Sequence, residues 1–282
     1  MRLMVDSSSM LPPRIMQGPF GRVALKATAR PMAAHGHAEV HCIFKLGGSD
    51  AGFAVGGKRF LLDDSQAVLV NPWETHAKLA SAGEPTLALA LLLDAGWLAD
   101  LACARFTPRR AFFRWPQARL TLDVRRKVVR LHEAMASDAA VTEAARLDTL
   151  RDLACSVVRE YGNADAGGPA PLPEPMDGRI ARALRAMHPN DDGVALPEIA
   201  AQVGLSRSRF FEQFRRCVGV SPQQYLRSRR MALATQRLAD RGVAVAEVAG
   251  ELGFTAPGHF TRFFEQHIGF TPREFQRGLV SA

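Results

Sequence analysis

Leu196-Pro197-Glu198-Ile199-Ala200-Ala201-Gln202-Val203-Gly204-Leu205-Ser206 and Val245-Ala246-Glu247-Val248-Ala249-Gly250-Glu251-Leu252-Gly253-Phe254-Thr255 state one pattern twice. Each copy begins as a short amphipathic helix with a small residue inside it, Ala200 or Ala249. Each stops at a glycine, Gly204 or Gly253, and restarts behind a hydroxyl residue suited to cap a new helix, Ser206 or Thr255. A helix, a tight glycine-containing turn and a second helix make a helix-turn-helix. The register continues: Phe210, Phe214, Gly219, Pro222 and Tyr225 correspond to Phe260, Phe264, Gly269, Pro272 and Phe275. The offset is 49 residues through the glycine and 50 afterwards, so the second turn carries one extra residue. A repeat kept over so many positions marks a duplicated structural unit.

The residues that carry a family likeness are Ile199-Ala200, Gly204-Leu205-Ser206, Phe214, Gly219, Ser221-Pro222, Tyr225 and Arg229-Arg230-Met231 in the first copy. In the second they are Val248-Ala249, Leu252-Gly253-Phe254, Phe260, Arg262, Phe264, Gly269 and Thr271-Pro272. Two such motifs joined by one helix resemble the AraC/XylS family of transcription regulators, over about the last hundred residues. The resemblance implies control of transcription through this domain, with a sensing or dimerising domain in front.

In the second helix of the first motif, Phe210 and Phe214 face inward, which leaves Arg207, Ser208, Phe211, Glu212 and Arg215 on the outer side. An α-helix fits the major groove, and base edges are read from its exposed side. By position in the family motif, Ser208, Phe211 and Glu212 are the base readers, with Arg207 beside them. Glu212 suits a cytosine amino group and Phe211 a thymine methyl; packing against the neighbouring helix is the other role open to Phe211. In the second copy, Phe260 and Phe264 face inward, leaving Gly258, His259, Thr261, Arg262 and Glu265 outside. Arg262 is the leading candidate, because Arg is the commonest reader of guanine. Pro257 and Gly258 replace longer polar residues of the family, so this helix is expected to rely more on phosphates. Arg227, Arg229 and Arg230 on the connecting helix are candidates for phosphate contacts or for ion pairs.

The chain of 282 residues suits two modest domains, and its 47% hydrophobic and 23% charged residues are ordinary for a globular protein. Of the net charge of +8, the segment from Asp177 to Ala282 holds +5, with 15 Arg against 10 acids and no Lys. A basic excess carried by Arg suits a phosphate-facing surface. Cys42, Cys103, Cys155 and Cys217 form no C-x-x-C pair, which argues against a disulfide framework or zinc finger and fits a reducing cytoplasm. Met1 to Met10 lacks a signal-peptide core, and Leu87 to Leu93 is too short to cross a bilayer. Both features read as cytoplasmic.

From Val23 to about Leu93 the texture is β: seven or eight short antiparallel strands, with Gly56-Gly57 as a hairpin turn, suggest a jelly-roll or cupin-type barrel. Pro72-Trp73-Glu74-Thr75-His76 resembles the second cupin motif and the sensor domains that precede AraC-type domains, over residues 20 to 95. His35, His37, His41 and His76 fall near where metal-binding cupins keep their ligands, with His41 in place of the usual Glu. The glycine expected before the first motif is Ala29, so the favoured reading places no metal here and takes His37, Trp73 and His76 as ligand-binding residues. Gly52-x4-Gly57-Lys58 mimics a P-loop, but Arg59 follows and the next residues read as strand, so no phosphate cradle is expected. Val124, Val128, Leu131 and Met135 form one helical stripe; Leu147, Leu150, Ala154, Val157 and Tyr161 form another, suited to packing on the barrel or between two subunits. Gly162 to Pro175 is a linker by composition.

The expected architecture is a two-domain α+β protein: an antiparallel, cupin-like β-barrel with flanking helices, then an all-α domain with two helix-turn-helix motifs. The expected boundaries are 1–161 for the effector-binding or dimerisation domain, 162–175 for the linker and 176–282 for the DNA-binding domain. The DNA-contacting set is Arg207, Ser208, Phe211, Glu212, Gly258, Thr261 and Arg262. The expected partners are double-stranded DNA, a small-molecule effector, a second copy of the chain and, as a further candidate, RNA polymerase. No membrane, cofactor or catalytic residue is expected. The competing function is a metal-dependent cupin enzyme fused to a DNA-binding domain.

Overall fold

The computed structural model describes residues 12–80, 83–102, 111–137, 141–163, 177–187, 196–240 and 242–280. Eight strands come first: β1 (Arg14–Gly18), β2 (Gly21–Thr28), β3 (Val40–Gly47), β4 (Ala51–Val55), β5 (Lys58–Leu62), β6 (Gln66–Val70), β7 (His76–Lys78) and β8 (Thr86–Leu93). After α1 (Ala95–Ala102) a short strand, β9 (Gln117–Arg119), precedes α2 (Leu122–Ala136) and α3 (Glu143–Tyr161). The strands make two antiparallel sheets, of order β1-β2-β8-β3-β6-β9 and β5-β4-β7. They enclose an apolar layer that includes Ile43, Phe53, Leu62 and Val70. The expected barrel is therefore an open jelly-roll-like arrangement of two sheets. β1 and β9 lie outside the stretch that reads as β, because β1 is a five-residue edge strand behind two prolines and β9 has only three residues.

The strand period of two assigns each face of the larger sheet. Val23, Leu25, Cys42, Phe44, Leu89, Leu91 and Leu93 point to one side, where they join Val124, Val128, Leu131, Met135, Leu150, Ala154 and Val157 in a single buried cluster. Burying each of these large apolar side chains contributes on the order of 1.5–3 kcal/mol. Both helical stripes are thus used inside the subunit, and a dimer would have to use other faces of α2 and α3. Thr121 and Thr142 cap the two helices, their side chains accepting from the N–H groups of Val124 and Ala145. The opposite face of the sheet carries Arg22, Ala24, Lys26 and Thr28 from β2, registered against Leu92, Ala90, Ala88 and Thr86 of β8.

The second part of the chain is helical: α4 (Gly178–Ala186), α5 (Leu196–Gln202), α6 (Arg207–Val218), α7 (Pro222–Ala239), α8 (Val245–Glu251), α9 (Pro257–Ile268) and α10 (Pro272–Gly278). Asp177 caps α4, whose Ile180, Ala183 and following Met187 are buried. Most of the expected linker, from Ala164 to Pro175, lies outside the described residues. No described helix is long and apolar enough to cross a membrane.

The two helix-turn-helix turns close alike. Leu205 N–H donates to Ala200 O and Phe254 N–H to Ala249 O, each at 2.9 Å, while Gly204 and Gly253 donate to Ala201 O and Gly250 O, also at 2.9 Å. This crossed pair of bonds places the glycines at φ +73° and +75°, the left-handed region that costs an L side chain energy. The restarts differ. Ser206 accepts from Arg209 N–H at the start of α6, whereas α9 starts at Pro257 behind Ala256, with no side-chain cap. Thr255 does not cap, because the extra residue in this turn moves the helix start one position on. Pro257 suits that start, since a proline at the first helical position gives up an N–H that would have no partner.

Candidate functional site

Each motif is built around a phenylalanine ladder. Phe210 and Phe214 are fully buried with ring centroids 5.6 Å apart; Phe260 and Phe264 repeat this at 5.8 Å. Turning these faces inward leaves Arg207, Ser208 and Glu212 of α6, and Gly258, His259 and Arg262 of α9, exposed. Two members of the expected contact set are less free. Phe211 is half-buried against the first motif's core, edge-on to Phe210 at 6.1 Å and under the Arg207 guanidinium at 5.7 Å. Thr261 is half-buried and its hydroxyl donates to Pro257 O at 3.0 Å, one turn back along α9. Glu265 is held by Arg30 of the sheet domain.

The three connecting-helix arginines separate. Arg229 is exposed. Arg230 is half-buried with its guanidinium 5.6 Å from the Phe254 ring, which ties α7 to the second motif's turn. Arg227 borders a cavity between the sheet domain and the helices. Arg237, further along, grips Glu251 of α8 with two bonds of 2.6 and 2.7 Å. That fork holds α8 against α7, and its hydrogen bonds keep the Glu251 carboxyl below its ordinary range.

The cavity measures about 190 Å³, far above the roughly 10–15 Å³ that one water needs. Its floor is the second face of the large sheet, with Arg22, Lys26, Ala88 and Leu92. Phe53 and Leu62 of the small sheet, Met231 and Thr235 of α7, and Ile268 and Phe270 beyond close the remaining sides. His37 and His76 line it, together with His35 and His41. Trp73 is not among its lining residues: its ring packs 5.8 Å from that of Tyr225 on α7, and its backbone N–H donates to His37 O at 2.6 Å. Trp73 thus serves the seam between the two parts of the chain.

Charge in the cavity is mostly positive. Burial lowers the Arg22 pKa, and lowers Lys78 to about 8. Burial, with Lys78 and Arg22 adding repulsion, pushes Lys26 down to about 7, while its ammonium donates to Ile268 O and Gly269 O at 3.3 and 3.2 Å. Those carbonyls end α9, where the helix dipole favours a cation. Glu39 also lines the cavity; burial works to raise its carboxyl, but His37 and Arg22 outweigh this and hold it at about 2. Burial and neighbouring imidazoles lower His35 to about 4 and take His41 and His76 well below the ordinary histidine range. Burial alone raises the Cys42 thiol, which favours its neutral form.

Sequence reasoning missed Arg22, Lys26 and Lys78. Charged residues at alternate strand positions ordinarily mark a solvent face. Here Arg22 and Lys26 are roofed by helices about 200 residues or more away in sequence, and Lys78 faces the same roof from the smaller sheet, so no local signal reveals it. The roofing is close: the second motif's core takes in Ile15 and Ala24, Val280 N–H donates to Ile15 O at 2.8 Å, and Leu279 bridges Ile15.

Comparison with known proteins agrees with this geometry. The family described as a helix-turn-helix domain matches residues 199–278. The transcriptional regulator RipA of Corynebacterium glutamicum is 31% identical over 110 residues, 39% of this chain and 33% of that protein. The arabinose operon regulatory protein of Escherichia coli is 30% identical over 109 residues, 38% of this chain and 37% of its own length. The chain therefore spans about a third of these curated relatives. Among solved structures, ToxT of Vibrio cholerae with bound unsaturated fatty acid superimposes with a TM-score of 0.54 at 11% identity, covering 92% of this chain and 95% of that one. An apo ToxT variant gives 0.57 at 13%, covering 95% and 100%. At such identity the likeness speaks for the shared two-part fold. Residues 199–278 thus match the helix-turn-helix domain family, and about a hundred carboxy-terminal residues are similar to these transcription regulators, with a β-sheet domain in front.

Proposed function

We propose that this protein is a sequence-specific, DNA-binding transcription regulator that works in the cytoplasm and is controlled by a small effector held between its two domains. The observation that carries the proposal is the shared cavity: its walls come from the sheet domain and from α7 and the end of α9, so an occupant touches both parts at once. An effector changes DNA binding only if it favours one domain arrangement over another, and a ligand at the seam meets that condition.

Positive groups at the floor and apolar walls from Phe53, Leu62, Met231 and Phe270 suit an anion with an apolar body. ToxT, whose fold this chain shares, has been solved with an unsaturated fatty acid, a ligand of that class. For DNA, Arg262 reads a base edge from α9, while Arg207, Ser208 and Glu212 contact bases or phosphates from α6. Phe211 supports α6 from behind as well as facing the groove, and Gly258 lets the backbone of α9 approach a phosphate. A homodimer reading repeated half-sites, and contact with RNA polymerase, are further parts of the proposal that rest on the family. The expected domains, 1–161 and 176–282 with a linker at 162–175, remain the working division.

The test is DNA affinity measured by fluorescence anisotropy with and without a monounsaturated fatty acid, on the wild type and on Lys26→Met. Anion binding needs the protonated amine, so the effector's influence should fade as pH rises through about 7 toward 8 in the wild type. Lys26→Met should weaken the response below about pH 7, where the wild-type amine is protonated, and differ little from wild type above it. An equal response in both proteins, independent of pH, would remove Lys26 from the site.

A further inference from the structure

We infer that His35, His37 and His76 form a binding site for a divalent transition-metal ion at the seam between the sheet domain and the second helix-turn-helix motif. One ligand atom from each of the three lies within 4.8 Å of the others. His35 and His76 are cross-strand neighbours, exchanging backbone bonds of 3.0 and 2.8 Å, and His37 follows two residues on, so the local backbone fixes the cluster.

The outer hydrogen bonds select the atoms. His35 Nδ1 lies 2.8 Å from Ala33 O, and His76 Nδ1 lies 2.9 Å from Glu74 O. A carbonyl accepts only, so each Nδ1 carries the proton and each Nε2 keeps its lone pair. His37 Nδ1 is within ion-pair distance of the Glu39 carboxylate, 3.1 Å, but makes no hydrogen bond, so both nitrogens of that ring are without a hydrogen-bond partner. Backbone carbonyls or carboxylates behind the ring are the usual supports of metal-binding histidines. His37 Nε2 and His41 Nε2 are buried with no hydrogen-bond partner. Buried polar nitrogens without partners are uncommon and ask for a ligand. His76 Nε2 has one neighbour, His41 Nδ1 at 3.3 Å, a contact that a metal ion would replace.

Three neutral imidazoles suit zinc, cobalt, nickel or copper rather than magnesium or calcium, which prefer oxygen donors. Three protein ligands leave a fourth position open on zinc. The His35 ring is 6.0 Å from that of His267 on α9, so an ion here would sit beside the second motif. The site stands whether or not the effector or DNA assignments hold, since metal uptake requires neither.

The experiment uses the full chain without a histidine tag, stripped with chelator and titrated with Co²⁺, followed by visible absorption and then by displacement with Zn²⁺. The expected result is one equivalent bound, with Mg²⁺ unable to compete. His35→Gln and His37→Gln should each weaken binding by about tenfold or more, while His132→Gln, on α2, leaves it unchanged. His35 and His37 are not fully buried, so both variants should fold, as circular dichroism will check. Thermal unfolding gives a second reading: Zn²⁺ should raise the wild-type midpoint and raise it less in the two variants. Absence of a stoichiometric Co²⁺ site, or equal affinity in wild type, His35→Gln and His37→Gln, would overturn the assignment.

Discussion

The first and second helix-turn-helix units share their turn bonds and their buried phenylalanine pair, but they live in different surroundings. The first draws its core only from residues between Ile180 and Leu226, all within the helical part of the chain. The second adds Ile15 and Ala24 of the sheet domain to its core. It is further fastened by Lys26 at the end of α9, by Arg30 on Glu265, and by the tail bonded to β1. A duplicated sequence has thus been put to unequal use: the first motif meets the sheet domain at its edge, through Trp73 on Tyr225, whereas the second shares its buried core with it. A change in the cavity would reach the second reader first, through α9.

Truncations should break the symmetry most visibly. Phe210→Ala and Phe260→Ala each remove a fully buried ring and should each cost about 3–5 kcal/mol. Differential scanning calorimetry with limited proteolysis should show Phe260→Ala loosening the sheet domain as well, and Phe210→Ala leaving it intact. If both variants leave the sheet domain equally protected, the second motif is not coupled to it. A smaller effect is expected at Gly278, where an added Cβ would strike the backbone of Pro13. Gly278→Ala should cost about 1–3 kcal/mol and raise hydrogen exchange along β1. Unchanged exchange there would show that the tail contact carries no strain.

The smallest contrast lies at the caps. Ser206→Ala should destabilise by about 0.5–2 kcal/mol, read from urea unfolding, because the Ser206 side chain caps α6. Thr255→Ala should fall within about 0.5 kcal/mol of wild type, since α9 has no side-chain cap. Equal losses at both positions would restore the symmetry that the sequence suggests.

How far the sequence could be read depended on the range of the interactions. Turn glycines, the Ser206 cap and the paired phenylalanines are set by neighbours within a few residues, so both motifs were legible. Alternation along β2 and β8 also revealed strands, but not what each face meets. Arg22 and Lys26 look like solvent-facing positions until α7 and α9 are laid over them. The stripes on α2 and α3 fit either a dimer seam or a subunit core, because periodicity reports an apolar face and not its partner. Trp73 was expected to contact ligand, yet its ring meets Tyr225, some 150 residues on, a pairing that no local pattern encodes. The histidines were visible as residue types; only the fold showed which of their nitrogens have no partner.

The most direct test of the central claim is selection of binding sites from a random duplex library by the full-length protein, followed by the same selection with Arg262→Ala. Two reading helices predict two preferred blocks about one helical turn, 10–10.5 bp, apart. Arg262→Ala should flatten only one of them, at a cost of about 1–3 kcal/mol in specific binding, with affinity for random DNA nearly unchanged. Recovery of no preferred sequence, or of a single block indifferent to Arg262, would contradict the account.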